Sequence, residues 1–122
     1  YNLRRKGMVK DTIHTTELDT IYARGVQLLQ KRKYAKALYI LNDYNDRNTV
    51  VAHLSMDHNE RALELLAAMP KDAVTEYLRA IACSRLGQKE EGRRHFLEAC
   101  RLDERMEYRA NLDPEIAELL KE

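Results

Sequence analysis

A small residue followed four positions later by a large apolar residue recurs three times, and this feature constrains the fold more than any other. The three pairs are Ala37 with Leu41, Ala62 with Leu66, and Gly92 with Phe96. Antiparallel helices approach closely only where one side chain is small, and a large residue one turn later fills the next groove. Each pair therefore predicts the second helix of an antiparallel helical hairpin.

The spacing of these pairs predicts an irregular array of three hairpins. Ala37 and Ala62 are 25 residues apart, whereas Ala62 and Gly92 are 30 residues apart. Regular arrays of such hairpins repeat every ~34 residues, so we expect the middle hairpin to be compressed. A single hairpin cannot bury both of its faces, so each is expected to stack on the next.

Boundary signals divide the chain into a lead-in and a helical repeat domain. Residues 1–15 are basic and lack a sustained apolar period, which predicts a linker. Thr16 begins a pattern typical of a capping box and opens the repeat domain, 16–122. The dipeptide Asp113-Pro114 predicts the start of a C-terminal capping helix. The segment 42–48 is rich in Asn and Asp, which predicts a turn. The predicted hairpins span 17–45, 46–69 and 72–102, and the capping helix spans 114–121.

The bulk properties exclude several classes of protein. A chain of 122 residues, with 44% hydrophobic and 34% charged residues, is long enough for one folded domain. Its 4 Gly and 2 Pro favour helices over a loop-rich chain. The net charge of +1 creates no overall field that attracts nucleic acid. The apolar stretches are far shorter than the ~20 residues of a membrane span, so no membrane insertion is expected.

No residue pattern predicts catalysis, a bound metal or a cofactor. Cys83 and Cys100 are expected on core faces as free thiols about 12 Å apart, where burial disfavours the reactive thiolate. His53 and Asp57 share a helix face but match no closed four-ligand pattern, so His53 is predicted to be a hydrogen-bonded interior residue. The sequence therefore predicts a protein that is not an enzyme.

An arginine stripe raises the alternative of nucleic-acid binding. Arg94, Arg101 and Arg105 share one helical face if the helix persists that far. Glutamates are interleaved with these arginines, so an internally paired and solvated surface is the favoured interpretation. Nucleic acid is therefore not expected as a partner.

Two of the hairpins resemble the tetratricopeptide repeat family, and the resemblance extends over residues 17–102. The matching segments are 25–28 (GVQL) with 34–38 (YAKAL), and 86–89 (LGQK) with 96–99 (FLEA). The resemblance implies an all-α fold in which three hairpins form a right-handed α-solenoid with a C-terminal capping helix. The aromatic residue that the family carries early in the first helix is absent here.

The C-terminal sequence adds a narrower resemblance. Residues 108–116, with the sequence YRANLDPEI, are similar to the C-terminal repeat region of uncharacterised bacterial cell-envelope proteins. This resemblance implies a piece of a larger protein. It favours a periplasmic or outer-membrane-associated location, which the residues by themselves do not determine.

The family resemblance implies that a partner binds in a concave groove lined by the first helices of successive hairpins. Carried over to this chain, the partner-binding residues are Tyr22, Gln30, Arg47, Ser55, Tyr77, Ser84 and Arg85. Tyrosine and arginine are typical anchors of protein interfaces. The apolar residues of the same face are Val26, Leu29, Val51 and Ile81. Their alternative role is to pack between the hairpins. In the family, a clamp of Lys, Arg and Asn residues grips the terminal carboxylate of a bound peptide. Only Asn48 matches a position of this clamp here.

These observations predict a non-catalytic protein-protein interaction scaffold that is part of a larger protein and binds a peptide or a neighbouring domain. The alternative is a purely structural or self-associating module that spaces or caps another domain. If the module self-associates, its partner is a second copy in a homodimer. No polar cap precedes Thr16, so preceding sequence or a second copy is predicted to shield Leu18 and Ile21.

Overall fold

The computed structural model describes residues 12–121, with side chains described from residue 20 onward. Regular structure in this region is entirely α-helical, which confirms the all-α class expected from the sequence. Its eight helices are α1 (Thr12–Gln30), α2 (Tyr34–Leu41), α3 (Arg47–Ser55), α4 (Asn59–Ala67), α5 (Ala73–Arg85), α6 (Lys89–Leu102), α7 (Met106–Asn111) and α8 (Pro114–Leu119). None of them is both long and apolar enough to cross a membrane.

Helix α1 begins earlier than the capping pattern at Thr16 indicates. The helix already includes Thr12, so residues 12–15, which were expected in the linker, are helical. The reason is local, because no Gly or Pro interrupts residues 12–24 and threonine is tolerated inside a helix. The rest of the predicted linker, residues 1–11, lies outside the described residues.

The chain divides into two compact units, Tyr1–Asp57 and His58–Glu122. Helices α1 to α3 belong to the first unit, and α4 to α8 belong to the second. The hairpin predicted at 17–45 corresponds to the packed pair α1 and α2, and that at 72–102 to the pair α5 and α6. The helices expected at 46–69 are present as α3 and α4, but they belong to different units.

The turns that precede α2, α4 and α6 share one backbone conformation. The residue two positions before each of these helices has a positive φ, of 62° at Arg32, 60° at Asp57 and 80° at Gly87. This left-handed conformation is typical of the residue that follows a helix C-terminus. Before α6, the Gln88 N–H donates to the Cys83 carbonyl oxygen at 2.8 Å, and an equivalent bond of 2.9 Å closes the turn before α2. These bonds satisfy carbonyl groups that the helix ends leave open.

In the first unit, α1 and α2 approach closely at a glycine. A Cβ atom at Gly25 would lie 2.8 Å from Leu41 Cδ2 and 2.9 Å from Ile40 Cγ2. Ala37 and Leu41 are fully buried, as the small and large members of their pair were expected to be. The two helices can pack this tightly because α1 presents only a hydrogen atom at Gly25.

Helix α3 begins at a complete capping box. Asp46 Oδ1 accepts a hydrogen bond from the Thr49 backbone N–H at 3.0 Å, and Thr49 Oγ1 accepts one from the Asp46 N–H at 3.4 Å. Thr49 is fully buried, and its hydroxyl donates to the Leu41 carbonyl oxygen at 2.8 Å. The segment 42–48, which its Asn and Asp residues identify as a turn, therefore also fixes the start of α3.

The core of the second unit is formed by α5 to α8. Its largest members are Tyr77, Phe96, Ile116 and Leu119. A Cβ atom at Gly92 would lie 3.0 Å from Leu119 Cδ1 and 3.2 Å from the Ala80 carbonyl oxygen. The glycine of the third pair therefore allows α6 to approach both α5 and α8.

The C-terminal part of the chain contains one expected helix and one unexpected helix. Helix α8 begins at Pro114 as predicted, and the Asp113 carboxylate accepts a hydrogen bond from the Glu115 N–H at 3.0 Å. Helix α7 was not predicted, because α6 ends before the arginine stripe does. Asp103 causes this break, since its Oδ1 accepts the Arg105 backbone N–H at 3.0 Å and starts a new turn.

Candidate functional site

The residues predicted to line a concave groove divide between the two units. Those of the first unit are Tyr22, Gln30, Arg47 and Ser55, and those of the second are Tyr77, Ser84 and Arg85. Gln30, Arg47 and Ser55 are exposed, and Ser84 is half-buried. The Ser55 hydroxyl donates to the Val51 carbonyl oxygen of its own helix at 2.8 Å. The apolar residues Val26, Leu29, Val51 and Ile81 are half-buried.

Tyr22 connects α1 to the start of α3. Its hydroxyl donates a short hydrogen bond to Asp46 Oδ2 and accepts one from Asn48 Nδ2 at 2.7 Å. The rings of Tyr22 and Tyr44 lie 4.8 Å apart at an interplanar angle of 56°. This network was not predicted, although the Asn and Asp residues of segment 42–48 are the signal that could have indicated it. Tyr22 and Asn48 therefore stabilise the first unit by contacts within it.

Tyr77 is a core residue and does not line an open groove, which corrects the sequence-based prediction. Only 2% of its surface is exposed, and its hydroxyl donates to Asp113 Oδ2 at 2.6 Å. Its ring meets Phe96 edge-on with centroids 6.3 Å apart, and the Arg109 guanidinium lies 5.1 Å from the ring centroid. Burial, and next the hydrogen bond to Asp113, raise the pKa of Tyr77 above its ordinary value.

Arg85 is engaged by its own unit. Its Nε and Nη2 donate to the two carboxylate oxygens of Glu115 at 3.0 and 2.8 Å, and Nη1 donates to Asn59 Oδ1 at 3.2 Å. These bonds join α5 to the starts of α4 and α8. A partner that used Arg85 as an anchor would have to break this paired, forked contact.

A polar cavity of about 500 Å³ lies in the second unit around a buried carboxylate. Glu76 is buried, with its Oε1 3.1 Å from His95 Nδ1 and its Oε2 2.5 Å from Arg79 Nη1. Arg79 also donates to the carbonyl oxygens of Leu66 and Met69 at the end of α4. These polar groups satisfy one another, so they connect α4, α5 and α6.

The cationic side chains around this cavity are neutralised by carboxylates. Arg101 Nε lies 2.6 Å from Glu98 Oε1, and Lys71 Nζ lies 3.2 Å from Glu98 Oε2. The hydrogen bonds from Arg101, and next from Lys71, hold the pKa of Glu98 at about 2. Arg94 is paired with Glu91. The internally paired surface predicted from the interleaved glutamates and arginines is therefore confirmed for this part of α6.

A groove between α1 and α2 has a different charge arrangement. It encloses about 630 Å³ and is lined by Arg24, Gln27, Leu28, Lys31, Ala35, Lys36, Tyr39 and Ile40, which together are called the α1/α2 groove. Its rim carries Arg24, Lys31 and Lys36, and none of the three forms an ion pair within the described part of the chain. Tyr39 at its edge is 89% exposed. The groove therefore combines an apolar floor with three cations that no carboxylate of residues 20–121 pairs.

The sequence contained a signal for this groove that the family resemblance obscured. Arg24, Leu28 and Lys31 recur at helical spacing along one face of α1, with the apolar residue between the two cations. The resemblance instead assigns partner binding to Tyr22 and Gln30 of the same helix. Ile21, predicted to need a cover, is 47% exposed, and the side chain of Leu18 lies outside the described residues.

The second unit has an exposed surface at its C-terminal end. Glu104, Glu107, Tyr108 and Leu112, each of which is three or four residues from another of the set and lies within α7 or in the turns on either side of it, are called the α7 face. Tyr108 is 73% exposed and Leu112 is 86% exposed. Both glutamates are exposed, and neither forms an ion pair within residues 20–121. The α7 face therefore presents apolar area beside negative charge.

The two cysteines are not activated as nucleophiles. Cys83 and Cys100 are free thiols. Burial, and next the Glu91 carboxylate, raise the pKa of Cys83, while burial and then Glu107 raise the pKa of Cys100. A raised pKa disfavours the nucleophilic thiolate. No group of three metal-binding side chains occurs in the region with described side chains.

Comparisons with known proteins do not add to this description. No protein-family model matches the chain, and comparisons with curated proteins and with solved structures find no significant similarity. Function is therefore inferred from the α1/α2 groove and the α7 face.

Proposed function

We propose that this chain is a non-catalytic protein-interaction module whose principal contact surface is the α1/α2 groove. The observation that carries the proposal is the combination of an apolar floor at Leu28 and Ile40 with three cations, Arg24, Lys31 and Lys36, that have no ion pair among the described side chains. Apolar grooves rimmed by charge are typical docking sites for amphipathic helices, in which the apolar face provides affinity and the charges provide orientation.

The charge of the rim defines the partner. Three cations that no described carboxylate neutralises favour a ligand that carries Asp or Glu beside its apolar residues. The other basic surface, around Glu76 and Glu98, is a weaker candidate because its cations are already paired. We therefore infer that the ligand of the α1/α2 groove is an acidic amphipathic helix.

We also propose that the helices form three tetratricopeptide-like hairpins in a right-handed α-solenoid, with α8 as its C-terminal cap. Two independent spacings support this proposal. The positive-φ residues of the turns that precede α2, α4 and α6 are Arg32, Asp57 and Gly87. They are 25 and 30 residues apart, the same offsets as those of the three small residues, whereas the fourth positive-φ residue, Asn45, precedes α3. Each turn residue thus lies five positions before the small residue of its hairpin, as a repeated hairpin design requires.

The proposed contact surface differs from the concave groove that the family resemblance implies. Tyr22 and Arg85 are engaged within their units, and Tyr77 is buried. The remaining predicted residues, Gln30, Arg47, Ser55 and Ser84, are polar and include no apolar anchor. Affinity requires buried apolar area, so the α1/α2 groove is the better supported surface.

A peptide titration tests the groove. The isotope-labelled chain is mixed with a synthetic amphipathic helix that carries Leu and Tyr on one face and Glu on the other, and with a matched peptide that carries Lys in place of Glu. We expect the acidic peptide to shift the backbone amide signals of Leu28, Lys36 and Ile40, and the basic peptide to leave them unchanged.

The double variant Lys31→Glu and Lys36→Glu should weaken binding of the acidic peptide at least about tenfold, because rim attraction becomes repulsion. The double variant Lys33→Glu and Lys89→Glu is the matched control, since it changes the net charge equally at exposed positions outside the groove. If neither peptide perturbs the groove signals, the groove is not a helix-docking surface and the proposed function is wrong.

A further inference from the structure

The α7 face is the complement of the α1/α2 groove in both polarity and charge. It exposes Tyr108 and Leu112, which are large apolar side chains without a described cover. Glu104 and Glu107 flank them and have no ion pair in the described region. The two arginines of the same segment are already engaged, Arg105 by Asp103 and Arg109 over the Tyr77 ring, so the surface is acidic and amphipathic, as the groove requires.

The charge distribution along the chain reinforces this complementarity. Residues 1–57 contain ten Lys and Arg against six Asp and Glu, whereas residues 58–122 contain eleven against fourteen. The net charge of +1 therefore hides a basic first unit and an acidic second unit. Two copies attract each other when the first unit of one copy meets the second unit of another.

The basic segment at the start of the chain is a poorer occupant of the groove. Residues 1–11 contain Arg4, Arg5, Lys6 and Lys10 against a single acidic residue, Asp11. Their charge has the same sign as the groove rim, so electrostatics opposes this segment as a ligand.

We propose that the α1/α2 groove binds the α7 face of a second copy of this chain. This inference rests on the proposed function, because it names the ligand of that groove. Tyr108 and Leu112 supply apolar area for the floor at Leu28 and Ile40, and the two glutamates of the face meet the cationic rim. The packing of the apolar groups provides the affinity, and the charges select the orientation.

The proposed contact is heterologous, since the groove belongs to the first unit and the face to the second. Each copy that uses its α7 face keeps its own groove open for another copy, so association continues head to tail until a ring closes. The smallest such ring is a dimer in which each copy places its α7 face in the groove of the other.

Two variants, one on each surface, test the two sides of the contact separately. The groove variant is Lys31→Glu with Lys36→Glu, and the face variant is Tyr108→Ser with Leu112→Ser. All four positions are exposed, so both variants should fold, which circular dichroism and thermal unfolding check. The control variant, Lys33→Glu with Lys89→Glu, changes charge away from both surfaces.

Sedimentation velocity of the full chain gives the readout. We expect the wild type and the control variant to form species whose mass increases with concentration, and each of the two test variants to stay monomeric. An equimolar mixture of the groove variant and the face variant should restore one contact and form a heterodimer that grows no further. This outcome is specific to a head-to-tail contact.

Three results would overturn the inference. The wild type could stay monomeric at all concentrations, the variants could associate as the wild type does, or the mixture could fail to form the heterodimer. In each case the acidic peptide of the preceding experiment separates the two proposals. Binding of that peptide to the groove preserves the proposed function with another partner, whereas its failure removes both proposals.

Discussion

The residues in the left-handed conformation show how single positions determine the hairpin turns. Arg32 and Asp57 adopt positive φ although they carry a Cβ atom, whereas Gly87 occupies the equivalent place in the third turn. The left-handed conformation costs about 1 kcal/mol for a residue with a side chain. The first two turns therefore retain strain that the third turn avoids.

Arg32→Gly should consequently stabilise the chain by about 0.5 to 1 kcal/mol, while Gly87→Ala should destabilise it by about 1 kcal/mol. Space is not the limiting factor at Gly87, because no atom beyond its chain neighbours lies within 4 Å of the position that a Cβ atom would occupy there. Urea unfolding of both variants measures how much each substitution changes the free energy of unfolding. A loss of stability in Arg32→Gly would show that this turn is held by its side chain and not limited by its backbone.

The environment of Tyr77 predicts that the free energy of unfolding falls at alkaline pH. Burial and the hydrogen bond to Asp113 raise its pKa above the ordinary value of 10.0, so the folded state favours the neutral phenol. The contribution of Tyr77 to the free energy of unfolding is fully present below pH 10.0. It is lost as the pH rises above 10.0, because the tyrosine then ionises in the unfolded chain. Tyr77→Phe should flatten this decline and lower stability at neutral pH by about 1 kcal/mol, through the lost hydrogen bond.

Unfolding by urea at neutral and alkaline pH, together with tyrosine absorbance, tests this prediction. In the folded wild type Tyr77 should resist ionisation, and the variant should contain one resistant tyrosine fewer than the wild type. Equal pH profiles for the two proteins would mean that Tyr77 does not carry the effect. Phe96→Leu is a suitable control, because it alters the same core without removing the hydroxyl group.

At the scale of elements, the close approach of α1 and α2 depends on Gly25. A methyl group there would lie 2.8 Å from Leu41 Cδ2, and Leu41 is fully buried and has little room to move. Overpacking of this kind costs about 1 to 3 kcal/mol, which exceeds the gain of about 1 kcal/mol from the better helix propensity of alanine. Gly25→Ala should therefore lower the midpoint of thermal unfolding.

A double-mutant cycle isolates the contact. Leu41→Ala alone should destabilise the chain by about 2 to 5 kcal/mol, through the cavity that it leaves. In that background the Gly25→Ala change should cost less than it does in the wild type, because the obstructing side chain has gone. Additive effects of the two substitutions would contradict the close contact between α1 and α2.

The breaks between elements have equally local causes. Asp46, Asp72 and Asp113 each accept a hydrogen bond from a backbone N–H at the start of the following helix. Asp113 additionally binds the Tyr77 hydroxyl, so the residue that starts α8 also connects that helix to α5. A helix start and a tertiary contact thus depend on the same carboxylate.

At the scale of the whole molecule, the charges of the two units have opposite sign. If copies associate through the groove and the α7 face, their association must weaken as salt is added, because exposed charges more than ~10 Å apart are screened at 0.1 M ionic strength. The apolar part of the contact depends less on salt. Sedimentation at low and high ionic strength therefore separates the two contributions in the association experiment above.

The sequence by itself determined the all-α class of this protein and the described helices other than α7. Turn residues and caps act on their nearest neighbours, so the Asn- and Asp-rich segment 42–48 and the dipeptide Asp113-Pro114 located helix boundaries correctly. The small and large pairs located buried positions, because helix packing needs close approach at regular spacing. The start of α1 was misplaced, since a capping pattern at Thr16 can occur inside a continuing helix.

Only the tertiary structure decided which faces are open. A tyrosine suits a core and an interface equally, and the sequence does not distinguish between them until its neighbours are known. Tyr77 became a core residue because Phe96 and Asp113 meet it. Arg24, Lys31 and Lys36 became a candidate binding rim because no described carboxylate reaches them. Burial and charge pairing depend on contacts between residues distant in sequence, and those contacts exist only in the folded chain.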